Sequence, residues 1–369
     1  HDGKIVLTNA YGYADIGNGI PLTIDTPMRI QSITKSVTAW AVMKIVEDGL
    51  IDLDTPISHY FHSWNIPKSQ YRTELITVRN LLSHTSGLPL GDVFTIYNPT
   101  DTMPTLEEKL TKEAVLVRSP NEGFIYSNVG FNLLELLIEE VTGRDFAEYM
   151  ENEVLLPLNM TRSFFNWDEL SNPVPPKGYD LKGNEVFPYV YPEKGSGGLF
   201  ASIKDIANFT LAGMKSNPVI SLDSIEQMYT IQSSNIGIYG LVFDGYGFGH
   251  YIENLKNGMI SISHGGQGTG IMTHFQAVPE TKDAIIILTN SQKSWPMISN
   301  ILKDWAKWES FGPVGMEKII WGEMGIGIIS GMILSISFIY IVRILTPEKR
   351  KVSFLKFSRL CQNPCSCFL

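Results

Sequence analysis

Cysteine is missing from almost the whole chain: of 369 residues, the only thiols are Cys361, Cys365 and Cys367, all in the last nine. Nothing before them can form a disulfide, act as a thiolate nucleophile or bind zinc through sulfur. The Cys365-Ser366-Cys367 spacing is not a usual zinc pattern, and a free-thiol tail suits a reducing compartment. A G-x-S-x-G elbow is also absent, which excludes an α/β-hydrolase nucleophile. His59 and His62 lie three apart with no H-E-x-x-H, so neither a metal site nor a cofactor is expected. Basic residues are few: 29 Lys and Arg face 38 Asp and Glu, for a net charge of −9. Residues 343–369 carry six cations against Glu348, a net +5, which leaves −14 on residues 1–342. An acidic body argues against nucleic acid as a partner. There is no internal repeat, no initiator Met and no signal peptide. The chain reads as a processed or truncated product, so the missing export signal bears nothing on location.

What is present describes an ordered protein, with 44% hydrophobic and 18% charged residues. His1-Asp2-Gly3 reads as a hairpin turn into a strand over 4–14 whose partner strand is absent. A helix is expected over 36–48, capped by Ser32 or Thr34, with Gly49 left-handed behind it. Asp54-Thr55-Pro56 starts a short helix, and Thr77 caps another over 78–82. Further helices are expected over 106–117, 128–141 (closed by Gly143), 146–155 and 204–214, with loops over 92–105 and 173–192. The period then changes to strands over 246–253, 259–263, 272–278 and 284–289, followed by an amphipathic helix over 295–308. The fold class is α/β (α+β): an antiparallel sheet flanked by helices, with an all-helical subdomain inserted over roughly 60–200 and the whole domain over 1–315.

Residues 324–342 form a run of nineteen without a charge, about the length needed to cross a hydrocarbon core. One transmembrane helix is therefore expected over 319–343, with a basic tail over 344–369. The positive flank puts that tail in the cytoplasm and the domain outside, a single-pass protein of the cell membrane. Gly327 and Gly331 make a G-x-x-x-G, which carries little weight in such a span.

Chemistry gathers at the start of the 36–48 helix. Ser32 and Lys35 lie three apart, on one face of a turn. The helix dipole and burial both disfavour the ammonium, so Lys35 can take the Ser32 proton. S-x-x-K alone is common, and Ser353 to Lys356 repeats it in the basic tail. Two more motifs follow in order: Tyr126-Ser127-Asn128, the one Y-x-N of the chain, and His264-Gly265-Gly266.

In this order the motifs resemble the serine β-lactamase and penicillin-binding-protein superfamily, in its class C-like branch. The resemblance runs over about 4–308 and includes Leu81-Leu82-Ser83-His84-Thr85-Ser86-Gly87-Leu88-Pro89 and Gly197-Gly198-Leu199-Phe200-Ala201-Ser202. It implies that Ser32 attacks a carbonyl to give an acyl-enzyme, that Lys35 assists deprotonation, and that Tyr126 passes the proton to the leaving group. A nearby ammonium would favour the phenolate form of Tyr126. Asn128 would orient the substrate amide and Lys35. His264 replaces the Lys of the K-T-G in many relatives, while Gly265 and Gly266 leave room for substrate along the strand edge. The oxyanion hole would be the backbone N–H groups of Ser32 and Gln267. His84 reads as a structural hydrogen-bonding residue. The implied activity is a serine hydrolase acting on small-molecule or peptide substrates through peptide, ester or lactam carbonyls, carboxypeptidase-like or esterase-like. The alternative is an inert penicillin-binding-like module that binds cell-wall peptide or a partner protein. Neither substrate nor oligomeric state is specified by the residues.

Overall fold

The structure, a computed structural model, describes residues 1–167, 173–320, 322, 332–338 and 340–341. The chain opens with the expected turn: Lys4 N–H donates to the His1 carbonyl at 3.1 Å, with Asp2 and Gly3 both left-handed. The expected strand over 4–14 does not follow. Ile5, Val6 and Leu7 are 50%, 62% and 75% exposed, and only β1 (Tyr13–Asp15) pairs, with β2 (Ile20–Pro21). β-forming side chains make a strand only where a neighbouring backbone supplies the ladder.

Next, β3 (Met28–Arg29) leads to α1 (Thr34–Glu47). The three- and four-residue spacing of Val37, Trp40, Ala41, Lys44 and Ile45 implies one apolar face, yet the helix is buried nearly all round, Thr34 through Met43 and Ile45 included. It is the central helix of the core rather than a surface helix. Gly49 ends it with φ 72, as the sequence implies. The next short helix is a 3-10 turn, Ile57–His59. α2 (Val78–Leu82) starts at the Thr77–Asn80 capping box, and α3 (Leu106–Glu113) at that of Thr105 and Glu108. α4 (Asn128–Thr142) is capped by Ser127 and closed by left-handed Gly143. α5 (Phe146–Met150) runs on into a π-turn, Glu151–Leu155.

The expected loop over 173–192 is more ordered than its composition suggests. It holds a small hairpin, β4 (Gly178–Tyr179) with β5 (Glu185–Val186), and buries Tyr179, Tyr189 and Val190. β6 (Phe200–Ala201) then pairs back onto β3. α6 (Ile203–Ala212) and α7 (Leu222–Met228) follow.

The main sheet is antiparallel, in the order β11-β10-β9-β8-β7. The strand expected over 246–253 is broken into β7 (Gly245–Tyr246) and β8 (Tyr251–Asn254). Between them Gly249, φ 71, presses against α1, where a Cβ would lie 2.8 Å from Ala39 Cβ and 3.0 Å from the Lys35 carbonyl. That close approach bends the chain. β9 (Ile260–Gly268), β10 (Ile271–Val278) and β11 (Asp283–Thr289) complete the sheet. Alternation divides β10 between two cores: Phe275 and Ala277 join the core around α1, whereas Met272 and Val278 pack with α8 (Trp295–Trp308).

His1–Ile320 forms one compact unit. The domain boundary expected at 315 falls inside packed structure. Phe311, Val314 and Met316 are buried in the α8 core, and Gly315 N–H donates to Glu253 Oε1 at 2.6 Å. Of the second unit, which begins at Trp321, residues 332–338 and 340–341 are helical. Among the described residues no helix is long and apolar enough to cross a membrane. The expected span over 319–343 and the tail over 344–369 lie largely outside the described residues.

Candidate active site

Ser32 sits in a 3-10 turn, Gln31–Ile33, that runs directly into α1. Gln31 is left-handed with φ 53 without being glycine, a strained conformation that persists only when its surroundings enforce it. They do so here. Gln31 Nε2 donates to Tyr189 Oη at 2.8 Å, and β9 lies against the turn. A Cβ on Gly266 would fall 2.3 Å from the Ile30 carbonyl and 2.9 Å from Gln31 Cβ. Close backbone approach requires glycine there.

The expected helix cap is not formed. The N-cap residue is Ile33 and no side chain caps the helix, while Thr34 Oγ1 accepts from the Leu199 N–H instead. The Ser32 hydroxyl is left to Lys35, whose Nζ lies 3.2 Å from it and 2.7 Å from the Ser196 carbonyl. Lys35 is fully buried, and no carboxylate is within ion-pair reach among the described residues. Burial pushes its ammonium well below the ordinary lysine range. The neutral amine can direct one N–H at Ser196 and its lone pair at Ser32.

Tyr126 lies over this pair, with Lys35 Nζ 5.0 Å from its ring centroid and its hydroxyl hydrogen-bonded to Ser32. The phenolate expected from the sequence is not favoured: burial raises the phenol above its ordinary range. Amine with phenol, and ammonium with phenolate, differ by one proton transfer, and a buried site favours the uncharged pair. The Tyr-Ser-Asn segment is held from behind. Ser127 Oγ accepts from Gly130 N–H at 2.9 Å and donates to the Pro89 carbonyl. Ser127 N–H donates to His84 Nδ1 at 3.2 Å, which leaves the proton on Nε2. The buried His84 imidazole packs 4.4 Å from the Tyr126 ring, and burial, with Lys35 and His264 nearby, pushes its pKa well down. Asn128 opens α4, and its Oδ1 is buried without a partner among the described residues. Lys35 bonds to Ser32 and Ser196 rather than to Asn128.

β8 covers only Ile260 to Ser263 of β9. His264, Gly265, Gly266 and Gln267 therefore run past it with that edge unpaired, next to the Ser32 turn. His264 is buried, and both its nitrogens are engaged within the fold. Nδ1 lies 2.8 Å from the Gly265 carbonyl, to which it can only donate. Nε2 then accepts from Tyr246 Oη at 3.3 Å. Burial, with Lys35 nearby, holds its pKa well down, so the residue is a neutral prop, unlike the permanent cation it replaces in relatives. A Cβ on Gly265 would come within 2.8 Å of Trp295, whose Nε1 donates to Gln267 Oε1 at 3.1 Å. Outside this cluster, one group of described residues has metal-ligand geometry, His1 with Asp283 and Glu309. There the imidazole already bridges both carboxylates.

A model of the beta-lactamase family matches residues 1–304. The chain belongs to the beta-lactamase family. Within it the class C-like side is the nearer, as penicillin-binding-protein homologues share this fold. The octameric penicillin-binding protein homologue from Pyrococcus abyssi is 30% identical, with a TM-score of 0.71 over 85% of this chain and 72% of that one. The D-amino acid amidase from Ochrobactrum anthropi SV3 has a TM-score of 0.60 at 23% identity, over 76% of this chain and 82% of that one; it shares the fold. Protein flp of Staphylococcus aureus (strain MRSA252) is 30% identical over 186 residues, 50% of this chain. The chain covers 37% of that relative's length.

Of the residues named from the sequence, Ser32, Lys35 and Tyr126 lie in mutual contact, with the His264 ring 6.3 Å from that of Tyr126, while Asn128 opens α4 two residues on. Sequence reasoning misses Ser196, Gln31, Tyr189 and Tyr246. Ser196 acts through its backbone, which leaves no side-chain signature, although the family-like stretch beginning at Gly197 is its neighbour.

Proposed function

We propose that the chain is a serine acyl-transfer hydrolase in which Ser32 is the nucleophile and Lys35 its base. The observation that carries this reading is the fully buried Lys35 Nζ 3.2 Å from Ser32 Oγ at the start of a central helix, where burial disfavours its charged form. Such an amine takes the hydroxyl proton as Oγ bonds to the carbonyl carbon. The tetrahedral oxyanion is met by the Ser32 and Gln267 N–H groups. As the carbonyl re-forms, the leaving group departs with a proton relayed through Tyr126. Water then releases the acyl group by the same route in reverse. Asn128, with its buried, unpartnered Oδ1, and the open edge of β9 receive the substrate's amide groups.

The substrate class follows from the neutral His264. With no permanent cation there, the site favours small peptide amides or esters over the anionic carboxylate of a β-lactam. The amidase that shares this fold acts on D-amino acid amides by its name, which agrees with that choice. Anchoring is the second half of the reading. The uncharged run over 324–342 and the +5 tail support a single-pass membrane protein with the domain outside.

The test is labelling with a fluorescent penicillin and an activated ester, with the adduct mapped by mass spectrometry. Adduct should form on Ser32 and vanish in Ser32→Ala, with the ester turned over and the penicillin held. An adduct that survives Ser32→Ala defeats the proposal.

A further inference from the structure

Glu135 is a glutamate in the middle of α4 with 1% of its surface exposed, and the acyl-transfer reading does not use it. It lies two helical turns beyond Asn128, on the helix face shared with Phe131, whose ring centroid is 5.7 Å from Lys35 Nζ. Its Oε2 accepts from two successive backbone groups, Lys194 N–H and Gly195 N–H, each at 2.7 Å. The same short segment is gripped from α1. Thr38 Oγ1 donates to the Gly195 carbonyl at 2.8 Å, and Lys35 Nζ donates to the Ser196 carbonyl at 2.7 Å. Gly195 leaves no slack: a Cβ there would lie 2.8 Å from the Phe131 carbonyl and 3.0 Å from Glu135 Cβ.

We infer that Glu135 is a positioning residue for the acyl-transfer centre, fixing through Lys194 and Gly195 the Ser196 carbonyl that aims the Lys35 amine at Ser32. A neutral amine has two hydrogens and one lone pair. A carbonyl held on one side of Nζ takes a hydrogen and turns the lone pair toward the hydroxyl on the other. If that carbonyl drifts, the amine rotates and the proton transfer loses its geometry. The acceptor does not need a charge for this. Burial raises the Glu135 carboxyl to about 8, against the pull of Lys194 and the two N–H groups, so the neutral acid holds the segment at neutral pH. The requirement is an oxygen at that place.

This inference rests on Ser32 being the nucleophile, and its test separates the two. In full-length protein carrying ¹³C-labelled lysine, the Lys35 resonance is titrated in wild type, Glu135→Gln, Glu135→Ala and Glu139→Ala, and the rate of adduct formation is measured in each. The charged and titratable neighbours of Lys35 are Tyr126 before α4, His84 after α2 and His264 on β9; none is altered. Glu135→Gln keeps the oxygen and should titrate and acylate close to wild type. Glu135→Ala should acylate about 10–100-fold more slowly, with the Lys35 midpoint moved further down because the carbonyl that favours the ammonium is no longer fixed. Glu139→Ala removes the acceptor of Phe146 N–H on the same helix and should lose stability while moving neither readout. An unchanged Lys35 titration and rate in Glu135→Ala, or equal shifts in Glu139→Ala, overturns the inference. If Glu135→Ala does not fold, Thr38→Val loosens the same segment from α1. It should displace the Lys35 midpoint, and no displacement counts against the inference. The titration needs no substrate. A wild type that forms no adduct therefore sinks the proposed function while this readout still decides Glu135.

Discussion

Tyr246 Oη and His264 Nε2 meet at 3.3 Å in the interior, and this bond turns the histidine of the third motif inward. An imidazole that accepts from a buried phenol and donates to its neighbour's carbonyl has no nitrogen left for a ligand. Tyr246→Phe should therefore act on stability, leaving Nε2 buried and unpaired at a loss of about 1–3 kcal/mol, measured by urea unfolding. Acylation should change little. A rate that collapses in a stable variant would mean that His264 does touch the substrate.

The protonation state of Lys35 sets the pH dependence. Its folded pKa lies well below the ordinary 10.5, so the folded state binds fewer protons than the unfolded one across the interval between them. Stability consequently rises with pH through that interval, and is lowest below the folded pKa. The rate of acylation should rise with pH along a limb set by the same group, well below the lysine range. Stopped-flow acylation from pH 5 to pH 11 checks this, and a limb near the ordinary lysine value would show Lys35 to be charged in the site. His84 and His264, both held down by burial, should add no step between pH 6 and 7.

Tyr126→Phe keeps the ring over Lys35 and removes only the hydroxyl. Folding should be retained and turnover should fall by roughly 10²–10⁴-fold, the range for a lost proton relay. Turnover equal to wild type would reduce Tyr126 to packing.

Gly266→Ala tests the packing of β9 against the Ser32 turn. The added Cβ would stand 2.2 Å from Thr273 Oγ1 and 2.3 Å from the Ile30 carbonyl, with backbone on one side that cannot yield cheaply. A loss of about 1–3 kcal/mol, together with slower acylation as Gln31 shifts, is expected. A variant as stable and as fast as wild type would remove the argument for close packing.

Separating the domain from the proposed anchor depends on where the chain is cut. A protein ending after Ile320 should be soluble and active. One ending after Pro313 loses Val314, Met316 and the Gly315–Glu253 bond, and should be about 2–5 kcal/mol less stable, as for large deletions from a core. Equal melting temperatures for the two would show that the segment is dispensable.

Periodicity, caps and motif order were enough to identify the α1 helix, the Thr77 and Gly143 helix ends, the last three strands, the α8 helix and the Ser32–Lys35 pair. These signals are local: spacing of three and four, glycine at a left-handed position, alternation along a strand. The sequence could not show that Ser32 is freed because Leu199 occupies Thr34, or that the partner of Lys35 is the carbonyl of Ser196, 161 residues away. Neither could it show that 246–253 is two strands bent around α1, or that no strand forms over 4–12. Those outcomes are set by backbone groups meeting across the fold, and a backbone group looks the same at every position in a sequence. Charge states were decided the same way. Lysine, tyrosine and histidine carry their ordinary pKa values in a list of residues, and only burial at this particular place makes the Lys35 ammonium and the Tyr126 phenolate unfavourable and keeps His264 a neutral prop.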